Sequence, residues 1–168
     1  SMLMFNIINF KSLPKETFFA PEWNYYLFET HTKEINFKEL SNFILSKEKE
    51  ILKLPVMKYN GKVIDGDTGL GENSTTSKFK SYNVLKWKNK NIPKLKKIIL
   101  NFNNKILDHF NQPPIKELWI QCWANIMRNK EQIKPHLHGT NPRTYLGGNI
   151  CLQCNNTSTN YINPINQI

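Results

Sequence analysis

Two stretches near the end of the chain carry the strongest fold signal. They read Ile133-Lys134-Pro135-His136-Leu137-His138 and Tyr145-Leu146-Gly147-Gly148-Asn149-Ile150. In an extended strand, residues two apart project from the same face, about 6–7 Å apart. His136 and His138 are therefore predicted to point the same way and to hold one metal ion through two imidazoles. The alternative is one half-buried and one solvated histidine without a metal.

The residues before this pair predict another strand, from 117 to 127, because two kinds of side chain alternate there. One face carries Leu118, Ile120, Cys122, Ala124 and Ile126, and the other carries Trp119, Gln121, Trp123, Asn125 and Met127. The second face mixes indoles with amides, which suits either a pocket lining or a sheet face packed under helices. A third strand is predicted from 145 to 154.

Helical periodicity dominates the middle of the chain. Asn36 followed by Glu39 resembles a capping box, and apolar residues at helical spacing then predict a helix over 37–52. A second apolar stripe predicts a helix from Asn91 to Phe110, ended by Pro113-Pro114. The first thirty residues predict one or two strands broken by prolines. Helices before strands indicate one α+β domain over 1–168, with a helical layer at about 36–112 and a β core at about 116–168.

Length and composition fit a globular domain. The chain has 168 residues, 39% hydrophobic and 12% aromatic, and no apolar run reaches the roughly 18–20 residues that cross a bilayer. No signal peptide is recognisable, so a cytoplasmic setting without membrane contact is expected. Three cysteines do not indicate a disulfide-stapled domain. Cys151-x-x-Cys154 matches half of a zinc or redox motif, and inert thiols are expected there.

The formal net charge of +10 suggests contact with something anionic. The lysines concentrate between Lys78 and Lys105, and Arg143 is the only charged residue after Gly139. Heavy use of Lys, Asn and Ile also indicates an AT-rich genome, which raises the lysine count without a functional demand. The charge therefore argues only weakly for nucleic acid, which is not the expected partner.

A long polar stretch over 60–77 predicts a flap near the site. Residues 65–69 begin like a calcium-binding loop, but Leu70 stands where that loop needs glycine. The glycines at 69 and 71 are not followed by the remainder of a phosphate-binding loop.

Four motifs together resemble the phage-type 2-oxoglutarate/Fe(II)-dependent oxygenases, which are relatives of the prolyl hydroxylases. They are Thr76-Ser77-Lys78-Phe79-Lys80-Ser81-Tyr82-Asn83-Val84, Trp123-Ala124-Asn125, Pro135-His136-Leu137-His138 and Gly147-Gly148. The resemblance covers about residues 60–152. It implies a double-stranded β-helix (jelly roll) core with the N-terminal helices packed on one sheet.

The resemblance also implies cofactors and a reaction. Fe(II) and 2-oxoglutarate would bind, and oxidative decarboxylation to succinate and CO₂ would accompany hydroxylation of a protein or peptide side chain, prolyl at the family level. His136 corresponds to the first metal ligand, and His138 stands where relatives carry Asp or sometimes His. Trp123 and Asn125 lie on the strand that in relatives lines the cosubstrate pocket. Cys151 lies near the position where relatives often carry a pocket tyrosine, and Tyr145 is close by. If the chain is phage-encoded, the setting is the host cytoplasm.

The chain departs from the family pattern after His138. It has there no second metal histidine, and no Arg or Lys at the family's position to pair with the distal carboxylate of 2-oxoglutarate. The closing strands of a jelly roll are also missing. The chain is therefore expected to be either a truncated piece of a longer reading frame or a reduced relative, and its abrupt end without a polar tail favours truncation.

Three functions remain open at the level of sequence. The first is the dioxygenase. The second is a truncated or non-catalytic jelly-roll binding module whose basic surface contacts an acidic partner or nucleic acid. The third is a cupin-like metal site, which is weakened because Asn141 and Arg143 lie where cupins carry a glutamate.

Overall fold

The fold begins with an antiparallel hairpin. The structure is a computed structural model. It describes residues 4–56, 58–63, 68–138 and 142–163, and at residues 59 and 63 it describes the backbone alone. Strands β1 (Phe5–Lys11) and β2 (Asn24–Thr30) pair from Phe5 opposite Thr30 to Lys11 opposite Asn24. The expectation of early strands interrupted at the prolines is confirmed.

Two helices follow the hairpin where one was predicted over 37–52. They are α1 (Phe37–Ser46) and α2 (Glu48–Leu52), and the chain between them turns at Lys47. The predicted cap is confirmed, because the Glu39 amide donates to Asn36 Oδ1 at 3.0 Å. A very short hairpin, β3 (Lys58–Tyr59) and β4 (Lys62–Val63), comes next.

The longest element is α3 (Asn91–His109), which confirms the second predicted helix within one residue at its C-terminal end. A short 3₁₀ turn at Val84–Lys86 precedes it. The Asn91 side chain accepts the Asn36 amide at 3.2 Å and so connects the beginning of α3 to the beginning of α1.

The hydrophobic core lies between α1, the 3₁₀ turn, α3 and the extended chain around Ala124. Its buried members are Ile35, Leu40, Ile44, Val84, Leu85, Ile92, Leu95, Ile98 and Ala124. The hairpin packs on the far end of α3 through aromatic rings, with Phe5 5.8 Å from Phe102 and Tyr26 5.3 Å from Phe110 between centroids. The core is thus built mainly from helices.

The expected β core at about 116–168 is not confirmed in the described residues. No described residue from 113 to 163 belongs to a hydrogen-bonded strand or a helix, so the predicted strands 117–127, 133–138 and 145–154 are not paired strands in the described structure. A strand is completed by backbone partners on a neighbouring strand, and this part of the chain bonds instead to side chains and turns of 68–84. Residues 139–141 and 164–168 of the expected core, and 64–67 of the expected flap, lie outside the described residues.

The chain is therefore α+β, with three α-helices and two two-stranded antiparallel sheets in the described ranges. None of the helices described is both long and apolar enough to cross a membrane.

Candidate metal centre

The support of the candidate site is segment 120–125, an extended stretch held along one edge by residues 75–84. Three of its carbonyl oxygens accept hydrogen bonds from that segment. The bonds run from Asn83 Nδ2 to Ile120 O at 2.8 Å, from the Val84 amide to Cys122 O at 2.8 Å and from Thr75 Oγ1 to Ala124 O at 2.7 Å. Alternate residues thus present their backbone to the same side, as they do in a strand.

Tyr82 is central to this support. Its hydroxyl donates to Thr75 O at 2.9 Å and accepts the Ala124 amide at 2.9 Å. Burial raises the pKa of Tyr82 to about 12, so the phenol stays protonated at neutral pH. The ring also stacks on Trp87, with 5.8 Å between centroids.

The two predicted faces of this segment are confirmed. Ile120, Cys122 and Ile126 pack against the core beside buried Ala124. The opposite face carries polar and aromatic contacts, and its Gln121 amide bonds to backbone carbonyls, as the alternative of a packed sheet face predicts. Gln121 Nε2 donates to Phe79 O at 2.8 Å and to Tyr82 O at 2.6 Å.

The two histidines of the candidate site lie side by side. His136 Nε2 and His138 Nε2 are 2.8 Å apart, and the ring centroids are 4.6 Å apart. The prediction that both rings point the same way is confirmed. Both residues are exposed, and two clefts of the described structure lie elsewhere, one beside the hairpin loop and one between α1 and residues 152–153.

The contacts of His136 show where one of its ring protons lies. His136 Nδ1 lies 2.8 Å from Lys134 O. Because a carbonyl can only accept, this contact places the ring proton on Nδ1. Burial lowers the pKa of His138, and the adjacent His136 lowers it further.

Two aromatic side chains, Phe79 and Trp123, form a wall beside His138. Trp123 stacks on His138 at 6.2 Å between centroids with planes 20° apart, and Phe79 lies 5.2 Å from Trp123. Lys80 Nζ lies 5.3 Å from the Phe79 centroid. The wall connects the 75–84 segment directly to the metal-ligand candidates.

The polar loop ahead of the site also reaches the histidine segment. Lys134 donates its amide to Thr68 O at 2.8 Å. Gly69, at φ +91°, leaves so little room that a Cβ there would lie 2.7 Å from Gln132 O. Residues 74–78 are buried, so the C-terminal end of the expected flap is packed structure beside the site.

Of the three residues predicted to bind the cosubstrate, Trp123 contacts the histidine pair, whereas Asn125 and Tyr145 bond to other parts of the fold. Trp123 contacts His138, as described. Asn125 Oδ1 instead accepts the Thr76 hydroxyl at 2.8 Å, and the Tyr145 hydroxyl donates to Asn103 Oδ1 on α3 at 2.6 Å. Gly147, two residues after Tyr145, does lie against His138, since a Cβ there would be 3.7 Å from that of the histidine.

The described residues contain no group of three or more His, Cys, Asp or Glu side chains that could hold a metal ion. The site therefore offers two protein ligands in the described part of the chain.

Sequence reasoning missed the roles of Phe79 and Tyr82 at this site. Both lie in the 76–84 motif, but nothing local indicates that Phe79 packs on Trp123 or that Tyr82 bonds to Ala124. The only available signal was the presence of two aromatic residues in a run of hydroxyl side chains.

No family model matches the chain, and comparisons with curated proteins and with solved structures also found no match.

Proposed function

We propose that the chain is a non-haem Fe(II)/2-oxoglutarate-dependent dioxygenase domain that hydroxylates a protein or peptide side chain, with prolyl side chains as the first class to test. The observation that carries the proposal is the 2.8 Å separation of His136 Nε2 and His138 Nε2. Two imidazole nitrogens bound at about 2.1 Å and at right angles to one ion would lie about 3.0 Å apart. The pair therefore fits adjacent positions on a single metal.

The ligand chemistry supports iron while leaving most of the coordination sphere open. Imidazole nitrogen suits Fe(II), and facial-triad oxygenases leave positions free for cosubstrate. With two protein ligands, a metal would be held less tightly than with three, and a bidentate cosubstrate would strengthen its binding. When bound, Fe(II) would bring 2-oxoglutarate and O₂ together, and O₂ would supply the oxidation that converts a substrate C–H bond to C–OH while 2-oxoglutarate becomes succinate and CO₂.

The residues around the pair have distinct supporting roles in this proposal. Lys134 O fixes the tautomer of His136, which keeps its Nε2 free for the metal. The ring of Trp123 restricts the rotation of His138 and shields one side of it from water. Phe79 packs behind Trp123 and holds the indole in place.

The proposal includes a jelly-roll fold for the second half of the chain. It is supported by the extended course of 120–125 and by the alternating backbone bonds along one of its edges. Gln121, Trp123 and Asn125 make no backbone hydrogen bonds in the described structure, so the other edge is free to pair with a further strand.

Hydrogen exchange tests the jelly roll. A jelly roll predicts slow exchange at the amides of Gln121, Trp123 and Asn125 as well as at Ala124, whose amide is already bonded to Tyr82. Slow exchange at Ala124 with fast exchange at its odd-numbered neighbours would contradict the jelly roll.

Turnover tests the activity. The purified chain, supplied with Fe(II), ascorbate, O₂ and 2-oxoglutarate, is expected to form succinate above the level of a metal-free control. Peptides containing proline should increase the rate. Trp123→Ala should reduce succinate formation about tenfold or more, because it removes the wall beside His138, whereas Trp119→Ala, at a residue 90% exposed, should not. Absence of succinate with Fe(II) bound would contradict the dioxygenase.

A second candidate function is favoured by the charge distribution. Nine lysines and no acidic residue lie between 73 and 107, and those at 86, 88, 90, 94, 96 and 97 are all exposed. This surface would suit a non-catalytic module that binds an acidic partner. Such binding should weaken steeply as salt increases, and Lys94→Glu with Lys97→Glu should abolish it; binding that does not depend on salt would dismiss this function.

A further inference from the structure

The structure joins Cys151 and Cys154 in a disulfide across three positions of sequence. This corrects the expectation of inert thiols for these two residues. We propose that Cys151 and Cys154 form a reversible redox pair that undergoes thiol–disulfide exchange with dithiols of other molecules. The proposal is independent of the metal centre and does not require the oxygenase activity.

The first argument is access. Both cysteines are exposed, and they lie in a stretch without helix or strand. Thiol–disulfide exchange begins when a thiolate approaches a disulfide sulfur, so exposed disulfides are the labile ones. The pair therefore meets the first requirement for exchange.

The second argument is how the small disulfide loop is held. Between the cysteines, Leu152 packs against the hydrophobic core, and Gln153 Oε1 accepts the Ser41 hydroxyl of α1 at 3.1 Å. A cleft of about 300 Å³ lies beside it, lined by Lys38, Ser41, Asn42, Leu152 and Gln153. The two residues between the sulfurs are anchored to the fold, so both cysteines can remain close together after reduction.

The third argument weighs a purely structural role. A cross-link over three positions closes a very short loop, and short loops remove the least entropy from the unfolded chain. The Cys-x-x-Cys spacing is also the spacing at which cysteine pairs commonly have altered reactivity. The cross-link is therefore better suited to exchange than to stabilising the fold.

Cys122 provides an internal contrast. It is partly buried and has no disulfide partner, and burial raises the pKa of its thiol. Since the thiolate is the reactive form, Cys122 should react slowly and stay reduced when the other two cysteines are oxidised.

The exchange reaction balances in two steps. One thiolate of an external dithiol attacks a sulfur of the Cys151–Cys154 bond, forms a mixed disulfide and releases the other protein sulfur as a thiolate. The second thiolate of the dithiol then attacks the mixed disulfide and releases the remaining protein sulfur. Two electrons and two protons pass to the protein, which gains two thiols, while the external dithiol becomes a disulfide.

The test is a redox titration of the full chain in native buffer. Samples are equilibrated in mixtures of reduced and oxidised dithiothreitol, quenched in acid, alkylated and analysed by mass spectrometry. We expect one reversible transition in which Cys151 and Cys154 gain alkyl groups together, while Cys122 is reduced at every ratio. Two free thiols under all conditions, or a disulfide that persists in excess reduced dithiol without unfolding, would overturn the proposal.

Two variants control the assignment. Cys122→Ser should leave the two-thiol transition unchanged. Cys154→Ser should abolish it and leave Cys151 free to form a mixed disulfide with oxidised glutathione, with the circular dichroism of the helices retained. A transition lost in Cys122→Ser, or no mixed disulfide in folded Cys154→Ser, would also overturn the proposal.

Discussion

The hydroxyl of Tyr82 holds together the two segments that support the proposed metal centre. It both donates to Thr75 O and accepts the Ala124 amide, so it bridges the two segments that position Trp123. A buried group that loses its partner retains the cost of desolvation without the bond. The proposed metal centre is therefore coupled to a phenol that does not itself contact the histidines in the described structure.

Tyr82→Phe is expected to lower the free energy of unfolding by about 1–3 kcal/mol, because the Ala124 amide and the Thr75 carbonyl each lose a partner. Urea unfolding followed by circular dichroism measures the loss. Tyr161→Phe is the matched control, since Tyr161 is 61% exposed and makes no hydrogen bond in the described structure. Equal stability of Tyr82→Phe and the parent chain would show that the phenol does not join the two segments.

Gly69 is the second residue whose identity the structure constrains. Its φ of +91° disfavours any side chain, and an added Cβ would meet the Gln132 carbonyl of the backbone at 2.7 Å. Gly71 has a similar φ of +79° but nothing within 4 Å of an added Cβ. The pair of glycines therefore separates backbone strain from a steric clash.

Gly71→Ala should cost about 1–2 kcal/mol for the left-handed backbone alone, and Gly69→Ala should cost more, because the 132–134 segment must also move. Thermal unfolding measures both. The Gly69 variant should in addition weaken metal binding, since Lys134 leads directly into His136. Equal costs for the two variants would contradict the close approach of the loop to the histidine segment.

At the scale of elements, α2 is connected to the chain after segment 120–125 by one ion pair. Arg128 Nη1 and Nη2 lie 2.8 Å from the two carboxylate oxygens of Glu48. The hydrogen bond and charge of Arg128 hold the pKa of Glu48 below its ordinary 4.5. The two residues are 80 positions apart, so this pair connects the helical part of the fold to the region of the site.

The sign of the resulting pH dependence follows from linkage. Because the pKa of Glu48 is lower in the folded state, the pair contributes stability above pH 4.5, and that contribution is lost as the pH falls through the folded pKa. Thermal melts between pH 6 and pH 2.5 should therefore show a smaller acid-induced fall for Glu48→Gln than for the parent chain. Glu16→Gln is the control, since exposed Glu16 makes no described ion pair, and an identical fall in Glu48→Gln and the parent would refute the coupling.

The helices were predictable from sequence because their signals are local. The cap at Asn36 and the apolar stripe of α3 each extend over neighbouring turns of chain, and the structure reproduces both within a few residues. The bend at Lys47 was not predicted, since the apolar spacing continues across it. Local patterns report which face is buried, and they do not report where a helix is interrupted.

The strands predicted in the second half of the chain depended on non-local partners, which the sequence does not reveal. Alternation correctly assigned the core face of 120–126, but it could not show whether a neighbouring strand pairs there. The hydrogen-bond partners of segment 120–125 are side-chain and backbone groups 37 to 49 positions earlier in the chain. Such non-local contacts leave no periodic signature in the sequence.

In the candidate site, too, the local features were predictable from sequence and the contacts between distant residues were not. The common direction of His136 and His138 depends on a two-residue spacing and was predictable. The Phe79 contact with Trp123 and the bond from Tyr145 to Asn103 on α3 join distant parts of the chain, and neither was predicted. The expected roles of Asn125 and Tyr145 in cosubstrate binding remain predictions.

At the scale of the whole molecule, the positive charge is concentrated on one stretch of chain. With a net charge of +10 and nine lysines between 73 and 107, the folded state experiences self-repulsion that salt screens. Lys94 and Lys97 are exposed and three positions apart on α3, where like charges are neighbours. The molecule should therefore be more stable at moderate ionic strength than at low ionic strength.

Lys97→Gln is expected to raise the melting temperature by about 1–2 °C at low salt, because it removes one repelling charge. The gain should disappear at about 0.5 M NaCl, where the screening length is short. Lys15→Gln is the control, since Lys15 pairs with Glu22 at 3.1 Å and its removal should give no gain. A salt-independent gain would assign the effect to helix propensity instead of charge.

Anaerobic titration with Fe(II) tests most directly whether His136 and His138 hold one metal ion. Equilibrium dialysis of the full chain should give one Fe(II) per chain, with tighter binding when 2-oxoglutarate is present. His136→Ala and His138→Ala should each lower the affinity at least tenfold, while His31→Ala, at a histidine side chain that is 86% exposed, should leave it unchanged. Unchanged binding in His136→Ala and His138→Ala would contradict the metal centre.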